Sequence, residues 1–273
     1  MKIWQYIKCI LICGIPIIFY HFFYMIRFSK HPDKYPFEKR YKVARREIRM
    51  VFKHFHVDYK MENFDLFTKS DEKCLIITNH YSLSDPLALI AASEKPITFV
   101  CKKEVLDMPF VGKVAKALDC FPLDRDNMRS QFAQIREVVT YLKDKNKPSV
   151  LIFIEGKRNK NPDQPCLEFH PGTLKVAQMA GVPLLVAASY GSFRIFDKKA
   201  HTRKYPYFFN IFRRLEASEA KSYNTTELAP ILQKETDEQI NLLRVLDKDY
   251  IYNLKMSDKK KLLETRFDVS VNS

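Results

Sequence analysis

Two residues that could act together in catalysis, His80 and Asp85, lie in the segment NHYSLSD at residues 79–85. An apolar run precedes this segment and Pro86 follows it, which is typical of a junction between a strand and a helix. A turn there can fold the carboxylate of Asp85 back onto the imidazole of His80 and so orient a general base for a substrate hydroxyl. The residues alone also fit a simpler arrangement, in which Asp85 caps the helix and His80 is a loop histidine.

A second group of polar residues, Glu155–Arg158, follows another apolar run. Glycine at position 156 would let the backbone approach an anion, and an arginine side chain can bind phosphate oxygens in pairs. Lys102 and Lys103 come directly after a third apolar run. Each cation taken singly would be ordinary surface charge. Together, at one edge of a sheet, they predict a phosphate site.

The elements that would position these residues alternate between strands and helices. Branched apolar runs predict buried strands over Cys74–Thr78, Ile97–Cys101, Val150–Ile154 and Leu184–Ala188. Helical patterns cover Pro86–Ala92, Pro109–Leu118, Phe132–Leu142 and Thr173–Ala180. This alternation predicts an α/β fold with a mainly parallel sheet covered by helices, whose ligands bind at the carboxyl ends of the strands. Beyond Ala200 we expect a polar, mostly helical end, with a helix over Leu228–Leu246.

Composition and charge narrow the class of protein. Of the 273 residues 46% are hydrophobic and 29% are charged, which excludes a disordered tail, a collagen-like fibre and a polytopic membrane protein. The six cysteines have no zinc-ligand spacing, so we interpret them as free thiols. The net charge of +14 indicates an anionic partner and lies mostly near the N-terminus. Residues 1–60 hold 13 lysines and arginines against four acidic residues.

An uncharged stretch of 18 residues, from Cys9 to Ile26, opens this basic region. It is at the short end of what can cross a bilayer. Pro16 and His21 lie inside it, and both favour a helix that enters the membrane shallowly. A cleaved signal peptide is disfavoured because no small-residue cleavage site follows. We interpret the stretch as a membrane anchor, and the sequence leaves open whether it crosses.

A basic amphipathic helix is predicted directly after this anchor, over residues 37–55. Its apolar positions follow the spacing of one helical face: Phe37, Tyr41, Ala44, Ile48, Val51 and Phe55. The other face carries Lys39, Arg40, Lys42, Arg45, Arg46, Arg49 and Lys53. Such a helix is typical of the surface of an anionic membrane. The same periodicity fits a surface helix packed on a protein core, and nucleic acid is a third, weaker possibility. Residues 1–60 are thus predicted to anchor a catalytic domain over 61–273.

Four sequence blocks resemble those of the glycerolipid acyltransferases, specifically of the bacterial 1-acyl-sn-glycerol-3-phosphate acyltransferase type. NHYSLSD at 79–85 is similar to N-H-x-x-x-x-D. KKEV at 102–105, PFVG at 109–112 and LDR at 123–125 resemble K-x-E-L, P-F-x-G and D-R. FIEGKRN at 153–159 is similar to F-P-E-G-T-R-S, and GVPL at 181–184 to a block with V-P and a hydrophobic residue. Three departures stand out: Ile154 replaces proline, Lys157 replaces threonine, and Asp119 stands where glycine is usual.

The resemblance implies a glycerol-3-phosphate acyltransferase-like fold and a role for each matching residue. His80 would be the base and Asp85 its partner. The expected substrate-binding residues are Asn79, Lys102, Arg125, Glu155, Gly156 and Arg158. No metal or other cofactor is expected, and acyl-CoA or acyl-carrier protein would be the acyl donor.

The expected reaction moves an acyl group to the 2-hydroxyl of lysophosphatidic acid and gives phosphatidic acid. We expect anionic membrane lipids as partners, no nucleic acid, and a location on the cytoplasmic face of the cell membrane. Alternatives are another lysophospholipid or glycerol 3-phosphate as acceptor, a lipid hydrolase, and a non-catalytic protein that binds anionic lipid.

Overall fold

Strands alternate with helices through most of the chain. The computed structural model describes residues 14–124, 128–195 and 204–254. The first half contains α1 (Ile15–Tyr20), a π-helical turn (His21–Met25), α2 (Ile26–Lys30), a 3-10 turn (Pro32–Lys34), α3 (Phe37–His54), β1 (Val57–Glu62), α4 (Asp65–Thr68), β2 (Leu75–Thr78), α5 (Ser84–Ala92), β3 (Ile97–Lys102), a 3-10 turn (Lys103–Asp107) and α6 (Val111–Ala117). The second half contains β4 (Phe121–Leu123), α7 (Met128–Lys143), β5 (Ser149–Phe153), α8 (Pro171–Ala180), β6 (Leu184–Tyr190), a 3-10 turn (Ser192–Arg194), β7 (Tyr205–Leu215), α9 (Ala217–Ser222) and α10 (Thr225–Tyr252).

The described strands form one sheet in the order β1-β7-β6-β2-β5-β3-β4. The five strands from β6 to β4 are parallel to one another. β7 pairs with β6 in the antiparallel direction, and β1 is parallel to β7, so these two strands run opposite to the other five. The prediction of a mainly parallel sheet covered by helices is therefore confirmed, with the four predicted strands in its centre.

Both faces of the sheet are buried, which explains why the central strands are continuous apolar runs. Side chains alternate between the faces. Ile76 and Leu151 pack under α3, α5 and α6, whereas Leu75 and Val150 pack under α7, α8 and α10. We call these the α5 face and the α10 face. The helix that contains Asp85 therefore lies on the α5 face.

The expectation for the chain beyond Ala200 was wrong in one respect. Residues 205–215 form β7, an 11-residue strand that is buried along most of its length. Its run of aromatic residues suits a strand between two others, and Arg213 and Arg214 at its end made the segment look like charged surface. The predicted helix is present and longer than expected, as α10.

The predicted amphipathic helix is present as α3, but its apolar face belongs to the protein core. Phe37, Tyr41, Ala44, Ile48 and Phe52 are buried on the α5 face. The periodicity left open whether this helix lies on a membrane or packs on a protein core, and its apolar face packs on the core. Most of the basic side chains on the opposite face are exposed.

The described N-terminal residues pack against α3 and α6, and the predicted boundary between residues 60 and 61 falls inside β1. His21 lies buried with its Nδ1 atom 2.9 Å from Oε1 of Glu47 on α3. Its ring stacks on Phe110, the residue before α6, with 4.3 Å between ring centroids. Burial raises the pKa of Glu47 to about 8. Burial, and then the charge of Lys113, lower the pKa of His21, so both groups favour their neutral forms.

The first part of the predicted anchor, up to residue 13, lies outside the described residues. Within the part of the chain that the structure describes, no helix is both long enough and apolar enough to span a bilayer.

Candidate active site

His80 and Asp85 meet at the carboxyl end of β2. The Nδ1 atom of His80 lies 2.8 Å from Oδ2 of Asp85. The same oxygen accepts hydrogen bonds from the backbone N–H groups of Tyr81 and Ser82, at 2.9 and 2.8 Å. The carboxylate thus points back from the first turn of α5 into the loop before it. The N-cap of α5 is Leu83, so the simpler arrangement with Asp85 as a helix cap is not the observed one.

The hydrogen bond with Asp85 fixes which ring nitrogen of His80 can serve a substrate. Nδ1 is engaged, and Nε2 has no hydrogen-bond partner among the described residues. The ring stacks on Phe153 with 4.0 Å between centroids, and the side chain is 16% exposed while that of Asp85 is fully buried. The ring is thus fixed by stacking, one of its nitrogens is bonded to a buried carboxylate, and the other is accessible. This is the arrangement of a general base.

The loop after β5 holds the backbone of His80 from both sides. The His80 N–H donates to Oε1 of Glu155 at 2.7 Å, and the His80 carbonyl oxygen accepts from the N–H of Asn159 at 2.7 Å. The other carboxylate oxygen of Glu155 accepts from the N–H of Leu167 at 2.9 Å. Burial raises the pKa of Glu155 to about 7, and these two N–H donors oppose the rise.

The polar side-chain atoms of Glu155 and Asn79, two of the substrate-binding residues that the resemblance implied, bond to backbone groups of the protein. Glu155 is 1% exposed, and both of its oxygens hold backbone of neighbouring loops. Asn79 is fully buried, and its amide bonds to the backbone of Ser189 on β6 through both its oxygen and its nitrogen. In this geometry both side chains position the loop that carries His80.

The described cations among those expected to bind phosphate, Lys102 and Arg158, follow or end strands whose carboxyl ends lie along the same edge of the sheet. β5 lies between β2 and β3, and all three are parallel, so their carboxyl ends coincide. Lys157 and Arg158 follow β5 and are exposed. Lys102 ends β3, is half exposed and forms an ion pair with Glu104 at 3.0 Å. Arg125, which follows β4, lies outside the described residues.

Gly156 occupies a position that suits glycine for two reasons. Its φ of +67° is rarely adopted by other residues. A Cβ atom there would lie 2.8 Å from Nε2 of His170, whose side chain lies against the turn. Sequence reasoning missed His170, because only the fold brings it against the loop after β5.

The structure shows what two of the three residues that depart from the family pattern contact. Asp119 has a φ of +49°, a conformation that favours glycine. Its carboxylate forms a bidentate pair with the guanidinium of Arg40 on α3, with N–O distances of 2.8 and 2.9 Å. Arg40 is only 4% exposed, so its placement on the exposed basic face of α3 was wrong. Ile154 is buried, and its N–H donates to the Thr78 carbonyl at 3.1 Å, which a proline could not do.

Comparisons with known proteins agree with this fold. The model of a family described as Acyltransferase matches residues 57–189, which carry most of the loops described above. A solved structure, the 1-acyl-sn-glycerophosphate (LPA) acyltransferase of Thermotoga maritima, superposes with a TM-score of 0.58. It is 21% identical in sequence, and the match covers 88% of this chain and 92% of that one. This likeness shows the fold.

Relatives with similar sequences narrow the class of acyltransferase. The chain is 32% identical over 199 residues to the "Probable 1-acyl-sn-glycerol-3-phosphate acyltransferase" of Mycoplasma genitalium, over 68% of this chain and 72% of that protein. It is 30% identical to the protein of the same name in Mycoplasma pneumoniae, over 63% and 64% of the two chains. The chain therefore belongs to the 1-acyl-sn-glycerol-3-phosphate acyltransferase family, and it is an acyltransferase. The resemblance stated from the four sequence blocks is confirmed.

Proposed function

We propose that this enzyme transfers a fatty acyl group from an acyl thioester, either acyl-CoA or acyl-carrier protein, to the 2-hydroxyl of lysophosphatidic acid. The products are phosphatidic acid and the free thiol. The observation that carries the proposal is the 2.8 Å contact between His80 and Asp85, which leaves Nε2 of the imidazole accessible at the edge where the cations lie. The names of the relatives support the choice of acceptor.

In this reaction His80 acts first as a base and then as an acid. Nε2 takes the proton of the acceptor hydroxyl while the oxygen forms a bond to the thioester carbonyl carbon. The negative charge of Asp85 stabilises the imidazolium that results. When the tetrahedral intermediate collapses, the C–S bond breaks and the thiolate receives that proton. No acyl group is attached to the protein, and no metal or redox cofactor is required.

Arg158 and Lys102 are proposed to hold the acceptor phosphate, together with Arg125. Arg158 follows β5, which lies next to β2, Lys102 ends β3, the strand beyond β5, and Arg125 comes after β4 in the sequence. Guanidinium and ammonium groups donate charge-assisted hydrogen bonds to phosphate oxygens. Asn79 and Glu155 contribute by fixing the His80 loop.

The deciding experiment compares His80→Ala with wild type, using lysophosphatidic acid, an acyl thioester and phospholipid vesicles. His80→Ala should lose acyl transfer by about 100-fold or more, as expected when a general base is removed. His31→Ala is the matched control, because His31 is an exposed histidine outside the site. Full activity of His80→Ala would reject the mechanism. A panel with glycerol 3-phosphate and other lysophospholipids identifies the acceptor, and release of free fatty acid without acylated product would indicate a hydrolase.

The N-terminal helices are proposed to dock the enzyme on an anionic membrane. Ile18, Phe19, Phe22 and Phe23 are each about half exposed or more and form an apolar surface on α1 and the π-helical turn. The basic face of α3 adjoins it, since the guanidinium of Arg46 lies 4.9 Å from the ring centre of Tyr20. Apolar side chains beside exposed cations suit the surface of an anionic membrane. The proposed location is therefore the cytoplasmic face of the cell membrane.

Vesicle binding tests this docking surface. Serine in place of both Phe22 and Phe23 should abolish sedimentation with vesicles that contain phosphatidylglycerol. The matched control replaces Ile231 and Leu242, which are similarly exposed on α10, and should sediment like wild type. Equal loss in the two double variants would refute the assignment of the docking surface.

A further inference from the structure

The first turn of α5, which carries Asp85, is tied to a distant part of the chain by the hydroxyl of Ser84. Ser84 is fully buried, and its hydroxyl donates to the carbonyl oxygen of Ser192 at 2.8 Å. Ser192 begins the 3-10 turn after β6, 108 positions further along the chain. The three donors to Oδ2 of Asp85, by contrast, all lie within five residues of it. The bond to Ser192 therefore fixes the start of α5 with respect to the rest of the protein.

The hydroxyl of Ser84 also contacts the loop that carries His80. Its oxygen lies 2.9 Å from the hydroxyl oxygen of Ser82, and the N–H of Ser82 donates to Oδ2 of Asp85 at 2.8 Å. A hydroxyl has one proton and a carbonyl oxygen can only accept, so Ser84 donates to Ser192 and accepts from Ser82. Ser82 thus links Ser84 to the Asp85 carboxylate through its hydroxyl and its N–H.

The 3-10 turn at Ser192 is itself held firmly. Arg194, in the same turn, forms a bidentate pair with Asp247 on α10, with both N–O distances at 2.8 Å. Both of these side chains are fully buried. Before the turn, Gly191 lies so close to β7 that a Cβ atom there would collide with the carbonyl oxygen of Pro206. Because α10 and β7 both hold the turn, the Ser192 carbonyl is a fixed point to which α5 can be tied.

Two separate contacts with distant residues consequently set the distance between the base and its acidic partner. The backbone of His80 is held by Glu155 and Asn159, in the loop after β5. Asp85 moves with the first turn of α5, and this helix has no side-chain cap at its N-terminus. If the turn shifts while the His80 loop stays in place, Oδ2 moves away from Nδ1. Ser84 opposes such a shift.

We propose that Ser84 is a positioning residue for the catalytic pair, which it serves by tying the turn that carries Asp85 to the carbonyl of Ser192. The inference rests on the proposed function of His80 and Asp85. The cations proposed to bind phosphate end or follow other strands, so loss of the Ser84 hydroxyl should change kcat and leave KM unchanged. A misplacement of about 1 Å can cost about 100-fold in rate. Loss of one contact among several should cost less than that.

Ser84→Ala tests this role, because it removes one oxygen atom. The Ser192 carbonyl keeps a second donor, the N–H of Ile195 at 3.0 Å, so the variant should fold. We expect kcat to fall about 5- to 20-fold, with the KM values of both substrates unchanged. Ser93→Ala is the matched control. Ser93 lies at the other end of α5 and is 1% exposed, and its hydroxyl donates to the Lys95 carbonyl at 2.7 Å. This variant should keep the wild-type kcat, and equal kcat values for the two variants would overturn the proposal.

A second measurement separates positioning from a general loss of active enzyme. Ser84→Ala is combined with Asp85→Asn, in which the charge of the carboxylate is already absent. If Ser84 acts through that carboxylate, the kcat of the double variant should lie within about twofold of that of Asp85→Asn, because residues of one network are coupled. A fall in kcat by the same factor in both backgrounds would overturn the proposal. Failure of the proposed function looks different, because His80→Ala would then retain acyl transfer whatever the effect of Ser84→Ala.

Discussion

Replacing Asp85 separates the two tasks that the structure gives its carboxylate. Oδ2 orients His80, and it also accepts the backbone N–H groups of Tyr81 and Ser82. In Asp85→Asn the amide oxygen can keep these three contacts without the negative charge. In Asp85→Ala both N–H groups lose their acceptor. The two variants should therefore differ in stability and resemble each other in activity.

The magnitudes follow from the number of contacts. A buried donor without a partner costs about 1–3 kcal/mol, so Asp85→Ala should lower the free energy of unfolding by about 2–5 kcal/mol. Asp85→Asn exchanges a charged acceptor for a neutral one and should lose about 1–2 kcal/mol. Both variants lack the charge that stabilises the imidazolium, so kcat should fall on the order of 100- to 10,000-fold in each.

Urea denaturation followed by circular dichroism measures the first quantity, and acyl transfer to lysophosphatidic acid at saturating thioester measures the second. The KM for the acceptor should stay within about twofold of wild type, because Asp85 is fully buried and has no contact with substrate. An Asp85→Asn enzyme with more than a tenth of the wild-type kcat would refute the electrostatic role. Equal stability of the two variants would refute the role of Oδ2 as a backbone acceptor.

Three further predictions concern the phosphate site, a backbone conformation and a buried acid. Arg158→Ala should raise the KM for lysophosphatidic acid at least about 10-fold with little change in kcat, whereas Lys160→Ala, the control, should not. Asp119→Gly should be about 1 kcal/mol more stable than Asp119→Ala in urea denaturation, because both lose the pair with Arg40 and only glycine accepts the positive φ without strain. Burial raises the pKa of Glu47 from 4.5 to about 8, so the folded protein keeps a proton that the unfolded chain releases. The free energy of unfolding should consequently fall as the pH rises from about 4.5 to about 8, and Glu47→Gln should remove that part of the slope in denaturation experiments across this range.

Much of the fold could be predicted because local patterns and burial agree in the centre of the sheet. The strands around β2 and β5 are branched apolar runs that end in polar loops, and a parallel sheet buried on both faces requires such runs. β7 was missed because its aromatic residues are followed by Arg213 and Arg214, and β1 because it is polar and at an edge of the sheet.

The candidate site was predicted where a short turn decides the geometry. His80 and Asp85 are five positions apart, so local sequence is enough to bring them together. The places of Asn79 and Glu155 depend on backbone groups that are distant in sequence, such as the N–H of Ser189. Arg40 is a comparable case, because the helical period put it on the polar side of α3 while its partner Asp119 comes 79 residues later.

The order of the strands also has a consequence for how the enzyme matures during translation. β2, which His80 follows, and β3 are consecutive strands in the sequence, but β5 lies between them in the sheet. The groups that hold the backbone of His80 come from Glu155 and Asn159, after β5. A nascent chain that has emerged from the ribosome only as far as Lys147 contains both His80 and Asp85, but it lacks these supports. Acyl transfer should therefore begin only once the segment through Asn159 has been synthesised and β5 has inserted between the two earlier strands.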